Sequence, residues 1–340
     1  MKAIIAPRRF SGELRIPGSK SHTIRRLILA ALGEGVSEIT YPLDSLDARS
    51  CVGVVRALGA EFTERRADDP ACPNPPGDDG KKLTAWTVRG IGLGAGGSFK
   101  AGDAPLDVGN SGTTLFLALA AAALGTVPIR FTGDEQIARR SGAPLLDALA
   151  GLGATVESNH GCVPITVQGP LKGGRVSIAC PTSQYLSALL LAAPLAGPGI
   201  VCEIDVPLLY EKPYVAMTLA YLKAQGTPYE SAEDLSWFKI PGGARHRPLS
   251  GPVPGDFSSA AFPGGAGAVT GGPVTLLGLD PEDTQGDKAF FPMIEAMGCS
   301  VDWSRRGNEW ALRVSRSGPL RGGEFDLNDT PDLLPMMAVL

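Results

Sequence analysis

The chain has 340 residues, 44% hydrophobic and 19% charged, with a formal net charge of −4. That balance belongs to an ordinary globular protein long enough for two domains, and it excludes nucleic-acid recruitment by a bulk basic field. Six cysteines without CxxC spacing and three histidines argue against a zinc site or a disulfide framework, and no apolar run is long enough to span a bilayer.

The first strong signal is residues 17–26, PGSKSHTIRR. Pro17-Gly18 breaks a strand-like run, and Ile24, Leu27, Ile28, Ala31 and Leu32 then recur on one helical face. The first turn of this helix would hold Lys20, two hydroxyls and, one turn on, Arg25. Free backbone N–H groups and the helix dipole favour an anion there, whereas a lysine at that end is unfavourable unless an anion lies beside it. Alone, the segment reads equally well as a solvated basic turn, and His22 reads as a solvent-facing residue.

The construction recurs along the chain. Gly109-Asn110-Ser111-Gly112-Thr113-Thr114 precedes an apolar helix over 115–124, and Pro181-Thr182-Ser183-Gln184 precedes another over 185–193. Residues 255–259 precede a small apolar stretch, and Thr330-Pro331-Asp332 opens a helical run over 333–340. One such start is ordinary capping, with Asp332 a first-turn acid. Several on one period point to helix N-termini gathered around a polyanion.

Lys20, Ser111, Ser183, Phe257 and Pro331 are separated by 91, 72, 74 and 74 residues. The first interval is 19 longer than the second, and residues 64–82, rich in Pro, Asp and Gly, read as an insertion in a surface loop. In antiphase runs helix, Gly, short strand, at Gly59, Gly153, Gly226 and Gly298. The unit is therefore β-α-β-α-β-β, and the chain holds four units and the opening of a fifth. It stops inside an apolar helical run, so an incomplete C-terminus is expected.

In this setting the chain resembles the 5-enolpyruvylshikimate-3-phosphate (EPSP) synthase family. The carrying motifs, in order, are PGSKSHTIRR (17–26), GNSGTT (109–114), TGDEQIARR (132–140), TSQYLSALLLAAP (182–194), YEKPYVAMT (210–218), QGD (285–287) and NDTPD (328–332). The resemblance implies an α/β enolpyruvyl-transferase fold of repeated β-α-β-α-β-β units in two domains. Residues 19–253 would be the complete three-unit domain, and 1–18 plus 254–340 a second domain, incomplete at the C-terminus.

The implied activity is transfer of the carboxyvinyl group of phosphoenolpyruvate to the 5-hydroxyl of shikimate-3-phosphate, releasing phosphate, in aromatic amino-acid biosynthesis. The implied protein is a cytoplasmic monomer that needs no cofactor or metal and takes no nucleic acid or membrane partner. The alternatives are a UDP-N-acetylglucosamine enolpyruvyl transferase and a non-catalytic remnant that only binds shikimate-3-phosphate.

The resemblance also implies roles. Lys20 would lie between both substrates and act in catalysis. Ser21, Arg25, Thr182, Ser183, Gln184 and Tyr214 would contact shikimate-3-phosphate, and Asp332 would work on its 5-hydroxyl. Asn110, Gly112, Arg140 and Gln184 would lie on the phosphoenolpyruvate side. Departures from the family pattern are Thr23-Ile24, Phe116, Ser141 and Glu211, the last in place of a phosphate-binding serine. The family's catalytic glutamate and its later phosphoenolpyruvate-binding cations would lie beyond Leu340.

Overall fold

A computed structural model describes residues 8–100, 102 and 104–340. The part of the opening strand-like run before Arg8 lies outside the described residues. In chain order the helices are α1 (Lys20–Leu32), α2 (Leu46–Ala57), α3 (Gly112–Ala122), α4 (Ala143–Gly151), α5 (Ser183–Ala192), α6 (Lys212–Gln225), α7 (Phe257–Thr270), α8 (Phe290–Ala296) and α9 (Leu334–Met337). None of them is long and apolar enough to cross a membrane.

The strands form four-stranded mixed sheets of one design. A first strand pairs in parallel with a second, the second antiparallel with the fourth, and the fourth antiparallel with the third. Leu106–Asp107, Ile129–Thr132, Thr155–Asn159 and Cys162–Gln168 build this pattern around α3 and α4. Gly174–Cys180, Val201–Leu209, Glu230–Ser231 and Trp237–Pro241 repeat it around α5 and α6.

Two sheets take their first strand from far along the chain. Ser250–Pro252 pairs in parallel with Val36–Thr40, and Gly12–Arg15 pairs in parallel with Val274–Leu277. This exchange is the main way in which the arrangement departs from a simple tandem array. The insertion is also less loop-like than its composition predicts. Strand Glu61–Ala67 runs well into it, and the buried Asn74 amide donates to the carbonyls of Pro42 and Leu83 (2.7 and 2.8 Å).

The described chain forms two compact units. One comprises Lys20–Asp69 and Asn74–Val253, the other Pro70–Pro73, Pro254–Leu340 and the described residues up to Ser19. In the first unit α1 packs on α2 and α3, α3 on α5, and α5 on α6. Almost every residue of α1, α3 and α5 is buried, as expected for α3 and α5, which are apolar nearly all round. Helix α6 stops at Gly226, whose φ of +69° lets its N–H reach the carbonyls of Leu222 and Lys223. Trp86 fills this core, while Phe257, Phe290, Phe291, Leu276 and Leu312 fill the core of the other unit.

His246 lies in the first core at 1% exposure, its Nε2 3.4 Å from the Leu191 carbonyl, and burial pushes its pKa down to about 4. The unfolded state therefore binds the extra proton first as pH falls below the ordinary histidine value near 6.5. Stability should drop by up to about 3 kcal/mol between pH 7 and pH 4, since each pKa unit is worth about 1.4 kcal/mol. Urea unfolding of the wild type and of His246→Gln at both pH values checks this; the variant should lose that part of the slope.

Candidate functional site

Pro17-Gly18 keeps the chain extended before α1, so the helix begins at Lys20 as the motif predicts. No acid stands in its first turn. Lys20 is half-exposed and its Nζ lies 3.5 Å from Asp47 Oδ2, in the first turn of α2. The lysine expected to be unpaired thus has a counter-ion. His22, expected to face solvent, is buried instead, with Nδ1 2.7 Å from the Tyr221 hydroxyl on α6. The cause is packing on several sides of α1, where one apolar stripe was read.

Arg25 is 1% exposed and ties α1 to α5 and α6. Its Nε donates to Thr218 Oγ1 (2.9 Å), Nη1 to the Ser21 carbonyl (3.2 Å), and Nη2 to Ser187 Oγ and the Tyr214 carbonyl (3.1 and 3.3 Å). Of the five N–H groups of a guanidinium, one on Nη1 is thereby left for a ligand. Burial lowers the Arg25 pKa to about 10, opposed by Tyr221, Tyr214 and Glu211. A cation held this deep is costly unless hydrogen-bonded and balanced by an anion.

The start of α5 holds a carboxylate, Glu211. Thr182 caps the helix, its Oγ1 accepting from Gln184 N (3.4 Å). Glu211 Oε2 accepts from Ser183 N (3.0 Å), Ser183 Oγ (2.9 Å) and Thr182 Oγ1 (3.3 Å). Glu211 precedes α6 with φ +56° and ψ +41°, a left-handed conformation uncommon for glutamate, and makes no side-chain cap of its own helix.

A second cluster surrounds the start of α3. Ser111 caps it, accepting from Thr114 N (3.2 Å), and Asn110 Nδ2 donates to Gln136 Oε1 (2.9 Å). A Cβ on Gly112 would stand 3.0 Å from Arg140 Nη1 and 3.5 Å from Gln184 Oε1, so the missing side chain is what lets these groups close on the helix start. Among the described residues the buried Gln184 oxygen has no hydrogen-bond partner. Among the described residues the exposed Arg140 guanidinium has no hydrogen-bond or ion-pair partner either. The departures Phe116 and Ser141 both meet Tyr185 of α5. The rings of Phe116 and Tyr185 meet edge-on at 4.9 Å, and the Tyr185 hydroxyl donates to the Ser141 carbonyl (2.7 Å).

Lys20, Ser21, Arg25, Asn110, Gly112, Arg140, Thr182, Ser183, Gln184 and Tyr214 all belong to the first unit. Asp332 belongs to the other. It is exposed, in a single 3-10 turn Pro331–Leu333 followed by the one-turn α9, where the sequence predicts a longer helix. Pro335, which has no backbone N–H to donate, stands where the 3-10 turn gives way to α9. Sequence reading missed Asp47, Ser187 and Thr218, ordinary residues within helices that gain meaning only from the helix beside them.

A family model described as EPSP synthase (3-phosphoshikimate 1-carboxyvinyltransferase) matches residues 4–340. A 3-phosphoshikimate 1-carboxyvinyltransferase of Acetivibrio thermocellus is 44% identical over 97% of this chain and 71% of its own length. One from Halobacterium salinarum is 37% identical over 100% of this chain and 74% of its own. The solved EPSP synthase of Acinetobacter baumannii shares the fold at a TM-score of 0.73 and 23% identity, over 96% of this chain and 69% of that one.

Proposed function

Because the chain belongs to the EPSP synthase family, we propose that it transfers the carboxyvinyl group of phosphoenolpyruvate to the 5-hydroxyl of shikimate-3-phosphate. The observation that carries this reading beyond family membership is the pair of anion-ready helix starts in one unit. The start of α5 faces a buried arginine, and the start of α3 faces a free one. Two polyanionic substrates need two such places.

In this proposal Thr182, Ser183, Gln184, Ser21, Tyr214 and the remaining Arg25 N–H receive shikimate-3-phosphate. Asn110, Gly112, Arg140 and Gln184 receive phosphoenolpyruvate, and Lys20 serves both. The 5-hydroxyl oxygen adds to C2 of phosphoenolpyruvate while the methylene gains a proton, giving a tetrahedral ketal; phosphate then leaves with the C–O electrons and the methyl group returns a proton. Asp332 takes the proposed role of base toward the 5-hydroxyl. Lys20 balances the negative charge that develops between the substrates. The six free thiols, five of them buried, support a cytoplasmic setting as part of the same proposal.

The test is phosphate release by the full chain from phosphoenolpyruvate with either shikimate-3-phosphate or UDP-N-acetylglucosamine as acceptor. Release is expected with the first alone; release with the second alone would overturn the reading.

Gly112→Ala tests the second cluster. Its Cβ would push the Arg140 guanidinium away from the α3 start. The KM for phosphoenolpyruvate should rise roughly tenfold, the equivalent of one weakened charge-assisted hydrogen bond, while calorimetric affinity for shikimate-3-phosphate stays unchanged.

A further inference from the structure

We propose that Glu211 is an internal stand-in for the acceptor's phosphate. Its carboxylate fills the anion cradle at the start of α5 and must withdraw before shikimate-3-phosphate can bind, so this residue sets the affinity for the phosphorylated acceptor. The inference rests on the assignment of Thr182 and Ser183 to the phosphate.

Three donors from one helix start converge on a single oxygen, Glu211 Oε2, at 2.9–3.3 Å. They are a backbone N–H and two hydroxyls, the same donor types that would hold a phosphate oxygen. Carboxylate and phosphate cannot share them, because each hydroxyl has one proton and the anions repel. Residue 211 is built for reach rather than for capping. It leaves the start of α6 uncapped by its side chain and bridges instead to residues 28 and 29 positions earlier. Its left-handed backbone, φ +56°, aims the side chain there, at a position where glycine or asparagine would be at ease.

The tether also makes Glu211 an anion close to the buried Arg25. The unliganded unit therefore has its cation partly balanced and its cradle already ordered. The consequence for binding is arithmetic. Apparent affinity falls by the fraction of time the cradle is open, so a carboxylate that occupies it nine-tenths of the time weakens phosphate binding about tenfold. A dianionic phosphate offers more charge and more acceptor oxygens than one carboxylate, which is why it can still win the exchange. An unphosphorylated acceptor makes no claim on these three donors and leaves Glu211 in place.

The experiment compares wild type with Glu211→Gln, which keeps the shape and removes the charge, and Glu211→Gly, which removes the side chain and accepts the positive φ. Shikimate-3-phosphate, inorganic phosphate and shikimate are titrated calorimetrically, and KM is measured for both substrates. The expected result is shikimate-3-phosphate affinity at least about tenfold tighter in both variants, with a parallel gain for inorganic phosphate. Shikimate binding and the KM for phosphoenolpyruvate should not move, and the unliganded Tm should fall by a few degrees. A purely structural role would lower Tm without tightening the phosphate ligands. If the wild type binds and turns over shikimate-3-phosphate but neither variant tightens, the stand-in role is overturned while the proposed function stands. If the wild type binds no shikimate-3-phosphate, the functional reading fails and this inference fails with it.

Discussion

Lys20→Met should lower kcat/KM by about a thousandfold, roughly 4 kcal/mol of transition-state stabilisation, which is the scale for losing one preorganised electrostatic group. The same change should leave the unliganded Tm nearly where it was. The ion pair to Asp47 at 3.5 Å joins a half-exposed lysine to a partly exposed carboxylate, and such pairs contribute about 0–1 kcal/mol. Against it stands a cation at the positive end of α1, which is unfavourable by a similar amount. Steady-state kinetics together with thermal melts separates the two quantities. A melt lowered by many degrees with activity retained would make Lys20 a structural residue.

Arg25→Met should have the largest combined effect. It removes the bonds that the guanidinium makes to the Thr218 and Ser187 hydroxyls and to the Ser21 and Tyr214 carbonyls, while Thr218 Oγ1 keeps Ser187 Oγ (2.9 Å) and the Tyr214 carbonyl (3.1 Å). Each hydrogen bond from a charged donor is worth about 1.5–3 kcal/mol, and their loss is partly offset because the desolvation of the guanidinium is no longer suffered. A net loss of about 3 kcal/mol is expected in urea unfolding. Shikimate-3-phosphate affinity should fall at least about a hundredfold, as for loss of a charge-assisted hydrogen bond in a desolvated site. Unchanged stability and affinity would mean that the cation neither braces the helices nor serves the ligand.

Much of this was legible in the residues. The repeat spacing and the apolar runs led to α3 and α5 almost where they lie, because helices buried on all sides announce themselves by composition alone. The starts of α1, α3 and α5 were legible from Lys20, Ser111 and Thr182, since capping chemistry is local. What depends on a neighbour in space was not. Asp47 beside Lys20, Tyr221 beside His22 and the clip made by Asn74 each join elements far apart in sequence, and no periodicity encodes them. Glu211 was visible as a misfit with the family pattern. That its carboxylate occupies the donors of α5 depends on a left-handed backbone at one residue, which glutamate gives no reason to expect.

The exchange of strands has a consequence for the chain as it is made. Val36–Thr40 receives its parallel neighbour from Ser250–Pro252, with Glu38 opposite Ser250. At roughly 5–20 residues per second, a ribosome needs about 10–40 s to deliver that neighbour. Throughout that interval the first sheet emerges with an unpaired border of N–H and C=O groups, which other chains in the cell can pair with. Gly12–Arg15 waits longer still for Val274–Leu277. Synthesis rate, and whatever shields the nascent chain, should therefore govern the yield of this protein more than the strength of its finished core does.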